Sequence, residues 1–292
     1  MNIKIIADNA CDLTKQEIKE FDIEIMHIAL ISSKADEVDR NIEVEEIFQR
    51  QGQGESFKTS QIPEFEYLEC FEKYAKEDIP FIYLSLSSGL TGGYANSCMA
   101  LKNIKEKYPN IKASVIDTGS ASVGFGLFTY LMAKANKKGK TFDELLEFAD
   151  FLQENISHIF TVFDLKYLYQ GGRIIKVGKN ITKMLNIMPI ITFSNKKLKI
   201  AEIVRGKKKT IKSMVNTMER DMKRPFKDEI IMPVYGQDME IIGNFEELLK
   251  EAGANKIIPH QMGTVIASHV GPDIIGASYL KEEIPEKFKD IL

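Results

Sequence analysis

The chain has 292 residues, of which 44% are hydrophobic and 28% are charged, and its formal net charge is −3. A single core seldom grows beyond ~250–300 residues, so the length predicts two domains. The slightly acidic net charge excludes the class of strongly basic proteins that bind nucleic acid broadly. Three scattered cysteines without a CxxC pair exclude a disulfide scaffold and a structural zinc site, and favour a cytoplasmic protein without metal.

The N-terminal half alternates predicted strands with predicted helices. Residues 3–7 form an apolar run typical of a buried strand, and Thr14 and Glu17 then form a capping box that begins a helix. A second capping box, Thr141 with Glu144, begins another helix. Further strands are predicted at 23–30, 81–86 and 113–116, and further helices at 64–76 and 93–107. This alternation predicts a mainly parallel sheet covered on both faces.

The C-terminal half predicts a mixed sheet. Its strands are predicted at 159–163, 187–193, 197–204, 229–235, 255–260 and 274–280, with a short helix that ends at Gly171–Gly172 and a longer helix at 207–222. We therefore expect an α/β protein of two domains, an N-terminal mainly parallel domain at residues 1–158 and a C-terminal mixed-sheet domain at 159–292. We expect that the last residues of the chain can pack back on the N-terminal domain.

Four polar segments are candidate ligand sites. Ser87-Ser88-Gly89 lies between a predicted strand and helix, where outward N–H groups and a helix N-terminus can bind an anion. Thr59-Ser60 lies in a predicted loop before a helix, and Arg173 follows two glycines with a guanidinium suited to carboxylate or phosphate. His269 lies on a predicted tight turn before Gly271–Pro272. Each segment also admits a simpler role as a turn, a helix cap or a structural residue.

Several familiar catalytic motifs are absent from the sequence. Leu86 stands where a nucleophile elbow around Ser88 would require glycine, and the sequence contains no P-loop and no histidine spacing typical of a metal site. Asp8 and Asp117 end two predicted strands, where they could contact a ligand or cap the next helix. The basic run that begins at Lys196 could be a solvated face or could dock an acidic partner.

Six motifs in chain order resemble the DegV family, and together they extend from residue 8 to residue 273. They are DNACDL, TSQIPE, SSGLTGGY, LKYLYQGGRI, MLNIMPII and SHVGPD. The resemblance implies a long-chain fatty acid bound between the domains, with its carboxylate near Thr59, Ser60 and the Ser87–Gly89 loop, and near Arg173, Arg205 and His269. Which of Ser87 and Ser88 faces the ligand stays open.

The resemblance also implies a role. Family members act as the lipid-carrying subunit of a bacterial fatty acid kinase, which presents the acid to a separate ATP-binding subunit and holds the acyl phosphate. We therefore expect a cytoplasmic protein that is not an enzyme by itself, that exchanges lipid with a membrane surface, and whose only cofactor-like ligand is the fatty acid.

Burial of each methylene contributes roughly 0.8 kcal/mol, so an apolar tunnel would supply most of the affinity. Candidate tunnel residues, which could equally belong to the core, are Met184, Met188, Met262, Phe125 and Phe128. Two alternative functions remain at this point: a phosphotransferase or hydrolase that uses Ser88 and His269, and a regulatory ligand sensor without a kinase partner.

Overall fold

The computed structural model describes residues 3–34, 38–39, 42–172, 187–222 and 224–292. Of the residues discussed above, Arg173 and Met184 lie outside these ranges.

The N-terminal elements form two sheets with helices around them. In chain order they are β1 (Lys4–Asp8), α1 (Lys15–Glu20), β2 (Glu24–Met26), β3 (Ala29–Ser32), β4 (Val38–Asp39), α2 (Val44–Gly52), β5 (Phe57–Ser60), α3 (Glu64–Lys76), β6 (Phe81–Ser85), α4 (Gly93–Lys107), β7 (Ala113–Asp117), α5 (Ser122–Lys137) and α6 (Phe142–Asn155). The first sheet is parallel, with the order β2-β1-β6-β7, and the second is a small antiparallel sheet of order β4-β3-β5. Every residue of β6 is buried, as expected for a strand covered on both faces.

The predicted strand at 23–30 is wrong as one strand, because it forms two strands of different sheets. Residues 24–26 pair with β1, whereas residues 29–32 pair with β4 and β5. The side chain of Asn9 accepts the N–H of Ile28 at 2.9 Å and donates to the C=O of Ile28 at 3.3 Å. Since these bonds satisfy the backbone without a neighbouring strand, the chain can change sheets at Ile28.

The C-terminal elements form a seven-stranded mixed sheet, and the predicted α/β architecture is confirmed. In chain order they are β8 (Ile156–Val162), α7 (Lys166–Gln170), β9 (Ile187–Ser194), β10 (Lys197–Arg205), α8 (Lys207–Met222), β11 (Ile230–Tyr235), α9 (Met239–Glu251), β12 (Lys256–Ile257), β13 (His260–Gln261), α10 (Thr264–Val270) and β14 (Ile274–Leu280). The strand order is β10-β9-β8-β14-β11-β12, and β13 also pairs with β11. Residue 158, where the sequence places the domain boundary, lies within β8 of this sheet.

The last residues return to the N-terminal half of the chain. A 3-10 helix at Glu286–Ile291 buries Phe288, whose ring centroid lies 4.5 Å from that of Phe148 in α6. Lys140 also forms an ion pair with Asp290 at 3.0 Å. The N-terminal and C-terminal halves are therefore joined both by the direct connection from α6 to β8 at residues 155–156 and by this C-terminal segment.

Candidate functional site

A cavity lies between the N-terminal and C-terminal halves of the chain, with about 1020 Å³ of empty space that includes its opening to solvent. The N-terminal half contributes the ends of β5 and β6 and the start of α5, and the C-terminal half contributes β8, the β9–β10 hairpin, α10 and β14. Most of the wall is apolar, and its large hydrophobic residues include Ile28, Leu86, Leu90, Phe160, Leu168, Phe193, Leu198, Met262, Val265, Ile266 and Ile274. A wall of this composition suits an apolar ligand.

The polar residues of the cavity wall include a pair that comes from opposite ends of the sequence. Oγ1 of Thr59 lies 3.2 Å from Nε2 of His269, within hydrogen-bond distance. Ser60, Gln61 and Ser122 also line the cavity. The cavity therefore combines long apolar walls with hydroxyl, amide and imidazole groups.

Two of these positions correct the predicted local structure. Thr59 and Ser60 end strand β5 and do not lie in a loop, and His269 lies in the last turn of α10 and not in a tight turn. The helix ends because Gly271 adopts a φ of +77°, which favours glycine. The register of β5 against β3 and the end of α10 thus determine where Thr59 and His269 lie.

Two glycines allow α7 and α10 to approach each other closely. A Cβ atom on Gly171, at the end of α7, would lie 2.7 Å from Nδ1 of His269, and a Cβ atom on Gly271 would overlap the ring of Tyr167 in α7. Of the two glycines noted in the sequence, Gly171 therefore has a packing role, since it leaves room for the imidazole of His269.

The Ser87–Gly89 segment contacts the tip of the β9–β10 hairpin and is not among the residues that line the cavity. Oγ of Ser87 donates to the C=O of Lys196 at 3.0 Å, and a Cβ atom on Gly89 would overlap the same oxygen. The hydroxyl of Ser88 donates to Asp117, and the N–H of Ser88 donates to Asp117 at 3.0 Å. In this structure, the hydroxyls of both serines therefore have protein partners.

Asp117 is the centre of this contact between the two halves of the chain. Burial tends to raise the pKa of its carboxyl, but the Lys196 ammonium at 2.7 Å and the Ser88 hydroxyl outweigh burial and hold the pKa below its ordinary value. Asn195 and Lys196 at the hairpin tip both have positive φ angles, as a tight two-residue hairpin turn requires. Asp117 thus binds the hairpin tip as a charged group.

Asp8, the other strand-ending aspartate, has the capping role. Its carboxylate accepts hydrogen bonds from the N–H groups of Ala10 and Leu86, both at 3.0 Å, and from the hydroxyl of Tyr83 at 3.3 Å. Burial raises its pKa to about 6. Asp8 is not among the residues that line the cavity.

The remaining predicted residues divide between the cavity, the core and the surface. Met262 lines the cavity, whereas Phe125 and Phe128 are fully buried in the core and Met188 packs its sulfur against Thr210. Arg205 ends β10 with its side chain exposed, and it is not among the residues that line the cavity.

Sequence reasoning missed several cavity residues. Phe193 and Leu198 flank the hairpin tip, and alternation of apolar and polar residues in β10 could have indicated that Leu198 faces inward. His158 also lines the cavity and stacks on Phe193 with ring centroids 4.3 Å apart. Its ring nitrogens are buried without a hydrogen-bond partner among the described residues, and burial lowers its pKa to about 3. His158 is therefore neutral at physiological pH.

Two features are absent from the described ranges. These ranges contain no group of three or more His, Cys, Asp or Glu residues that could hold a metal ion. No helix among them is both long and apolar enough to cross a membrane. The Ser88 hydroxyl donates to Asp117, whereas Nε2 of His269 lies against Thr59, so Ser88 and His269 do not form the hydrogen-bonded pair that an activated serine requires.

Comparison with known proteins agrees with the six sequence motifs. A family model described as "Uncharacterised protein, DegV family" matches residues 2–282. A DegV domain-containing protein of Clostridium perfringens is 30% identical over 283 residues, which cover 94% of this chain and 96% of that protein.

Solved structures share the fold. A DegV lipid-binding protein of Thermotoga maritima is 26% identical, with a TM-score of 0.82 over 96% of this chain and 98% of the other. A second Thermotoga maritima protein, whose structure "reveals fatty acid binding function", is 25% identical, with a TM-score of 0.82 over 96% and 99% of the two chains. The resemblance read from the sequence is thus confirmed, and the chain belongs to the DegV family.

Proposed function

We propose that this protein binds one long-chain fatty acid in the cavity between its N-terminal and C-terminal halves, with the carboxylate at Thr59 and His269. The observation that carries the proposal is the hydroxyl–imidazole pair in the wall of a cavity that is otherwise mostly apolar. The two Thermotoga maritima relatives support it, since one is a lipid-binding protein and the other binds fatty acid.

The apolar wall supplies the affinity. Each buried methylene contributes roughly 0.8 kcal/mol, so a 16-carbon chain gains on the order of 10 kcal/mol before the cost of ordering it. Phe160, Phe193 and Leu198 offer aromatic and branched surface for this burial. The polar end then determines the direction in which the acid lies.

The carboxylate needs hydrogen-bond donors, and the cavity provides them. Thr59 and Ser60 offer hydroxyls, Gln61 offers an amide, and His269 can donate from Nε2 when that nitrogen is protonated. Ser87, Ser88 and Gly89 remain proposed contacts of the head group. Since Lys196 and Asp117 bind these serines in this structure, a carboxylate at this loop would have to displace the hairpin tip.

The finer proposal is that the protein is a carrier and not an enzyme by itself. It would present the carboxylate to a separate ATP-binding kinase subunit and hold the acyl phosphate that results. Arg173, Arg205 and His269 are the proposed contacts of the phosphoryl group, because guanidinium groups pair with phosphate oxygens in a bidentate way. The family resemblance of the surrounding motifs supports this assignment.

The proposed setting is the cytoplasm, with lipid taken up from a membrane surface. The three cysteines support a reducing compartment, since none of them forms a disulfide. The basic residues of β10 and the start of α8 support contact with an anionic surface; those with exposed side chains are Lys197, Lys199, Arg205, Lys207, Lys208 and Lys209.

Reconstitution tests the carrier proposal. The palmitate-loaded protein alone should consume no ATP, and addition of a bacterial fatty acid kinase subunit should produce acyl phosphate. Arg173→Ala and His269→Ala should each lower acyl phosphate formation at least tenfold, about 1.4 kcal/mol. ATP turnover or ester hydrolysis by the isolated chain, lost in Ser88→Ala, would instead support the phosphotransferase or hydrolase. Fatty acid binding without any reaction across several kinase subunits would favour a ligand sensor.

A further inference from the structure

Helix α10 carries His269 and is too short to be stable without tertiary contacts. It has seven residues, from Thr264 to Val270, whereas isolated helices need roughly 12–15 residues even to be marginal in water. Its position, and therefore that of the imidazole, must be determined by what packs against it. Besides α7, which packs against its C-terminal end, the N-terminal half of the chain contacts both of its ends.

The start of α10 lies against Asp12. A Cβ atom on Gly263, the residue before the helix, would overlap Oδ1 of Asp12. The other carboxylate oxygen, Oδ2, accepts a hydrogen bond of 2.6 Å from Oγ of Ser122, which lines the cavity. The beginning of the helix is therefore fixed against the cavity wall of the N-terminal half.

The end of α10 is bound by Gln51 of α2. Nε2 of Gln51 donates to the C=O of Ala267 at 3.1 Å and lies 3.4 Å from the C=O of Ser268. The C=O of Ala267 also accepts the N–H of Gly271 at 2.9 Å, so the Gln51 amide is a second, side-chain donor to the last turn of α10. Ala267 and Ser268 directly precede His269, so the bonds act within two residues of the imidazole.

The environment of Gln51 indicates that stability alone does not explain why a glutamine lies at this position. The side chain is 3% exposed, and its Oε1 atom is buried without a hydrogen-bond partner in the described part of the chain. A buried amide with an unsatisfied oxygen costs free energy, and an apolar residue of similar size would avoid that cost. What the apolar residue would lack is the directional contact with the last turn of α10.

We propose that Gln51 is a positioning residue for the fatty acid head group. By holding the last turn of α10, it keeps Nε2 of His269 within hydrogen-bond distance of Thr59 and in place for a carboxylate that binds beside the pair. This inference rests on the proposed function, and it adds that a residue of α2, which does not line the cavity, sets the geometry of the polar end.

The test compares two ligands and two matched variants. Gln51→Leu removes the amide at the end of α10, and Gln49→Leu makes the same change at an exposed position of the same helix. We expect Gln51→Leu to raise the Kd for palmitate about tenfold and the Kd for 1-hexadecanol less than twofold, because only palmitate has a carboxylate to align. Gln49→Leu should change neither Kd.

A double-mutant cycle separates positioning from general damage. In a His269→Ala background, Gln51→Leu should add less than a twofold change in palmitate affinity, since the residue through which it acts is absent. If Gln51→Leu does not fold, Gln51→Met replaces it in the same cycle. Equal losses for palmitate and 1-hexadecanol, or a full tenfold loss in the His269→Ala background, would overturn the inference. Failure of the wild-type chain to bind palmitate would reject the proposed function itself, and the inference with it.

Discussion

Oγ1 of Thr59 and Nε2 of His269 lie 3.2 Å apart although 210 positions separate the two residues in the sequence. One residue ends a strand of the small N-terminal sheet, and the other lies in the last turn of a helix in the C-terminal half. The polar end of the cavity therefore exists only when the two halves of the chain pack together. This relationship motivates the first prediction.

Thr59→Val should weaken fatty acid binding with little change in shape. The substitution removes a hydroxyl that would donate a hydrogen bond to the ligand carboxylate. The expected loss is about 1–3 kcal/mol of binding free energy. Isothermal titration with palmitate measures it. Methyl palmitate is the control ligand, because it has no carboxylate and its affinity should stay within error. An unchanged palmitate affinity would remove Thr59 from the site.

Gly171→Ala should displace His269. The added Cβ atom would lie 2.7 Å from Nδ1 of the imidazole, a separation that forces the ring or the end of α7 to move. Overpacking of this kind typically costs about 1–3 kcal/mol of stability, and we expect palmitate affinity to fall as well. Gly243→Ala is the matched control. Gly243 lies within helix α9, and a Cβ atom added there would have no neighbour within 4 Å. That variant should bind palmitate normally and gain up to about 1 kcal/mol in stability.

Lys196→Met should speed the release of bound fatty acid. Lys196 joins the hairpin tip to Asp117 at 2.7 Å, and Phe193 and Leu198 of the same hairpin line the cavity. Because the ammonium is about half exposed, we expect a loss of only ~0.4–1 kcal/mol, which corresponds to a roughly two- to fivefold faster dissociation rate. Stopped-flow transfer of a fluorescent fatty acid to vesicles reports this rate. Lys197→Met, at the exposed neighbouring position, is the control. Equal dissociation rates in the two variants would show that the hairpin does not control the exit of the fatty acid.

His158 should make the protein sensitive to acid. Burial lowers its folded-state pKa to about 3 from an ordinary value of 6.5. Because the pKa is lower in the folded state, the unfolded chain takes up the proton at a higher pH than the folded chain does. The unfolding free energy is therefore highest above pH 6.5 and falls as the pH drops toward 3. His158→Leu should remove this dependence. Between pH 6 and pH 4, the unfolding free energy of the wild type should fall relative to the variant by about 1.4 kcal/mol per pH unit. Parallel curves for the two proteins in urea titrations would contradict the burial of a neutral imidazole.

Local signals in the sequence were enough to locate many helices. The predicted helices at 64–76, 93–107 and 207–222 have the bounds found in the structure, and both capping boxes are present. These features depend on apolar periodicity and on side chains three residues apart, which the sequence displays directly. Helix α5 was missed because it is buried nearly all round, with eleven buried residues and no polar face to reveal a helical period.

The candidate site could be predicted from the sequence only in part. The motifs selected Thr59, Ser60 and His269, which line one cavity, but they could not show that α10 is held by Gln51 from a helix that was not predicted. The contacts of Ser87 depend on a hairpin tip about a hundred residues away, and those of Ser88 depend on Asp117 in the neighbouring strand. Long-range contacts of this kind are set by tertiary packing, which local spacing does not encode.

Native mass spectrometry of the purified protein tests the central claim most directly. A ligand held by an apolar cavity with a paired carboxylate should survive purification, so the spectrum should show a bound mass that matches one long-chain fatty acid per chain. Delipidated protein should regain that mass on exposure to palmitate, and Thr59→Val with His269→Ala should retain less of it. A spectrum with only the bare chain, both before and after exposure to palmitate, would contradict the account.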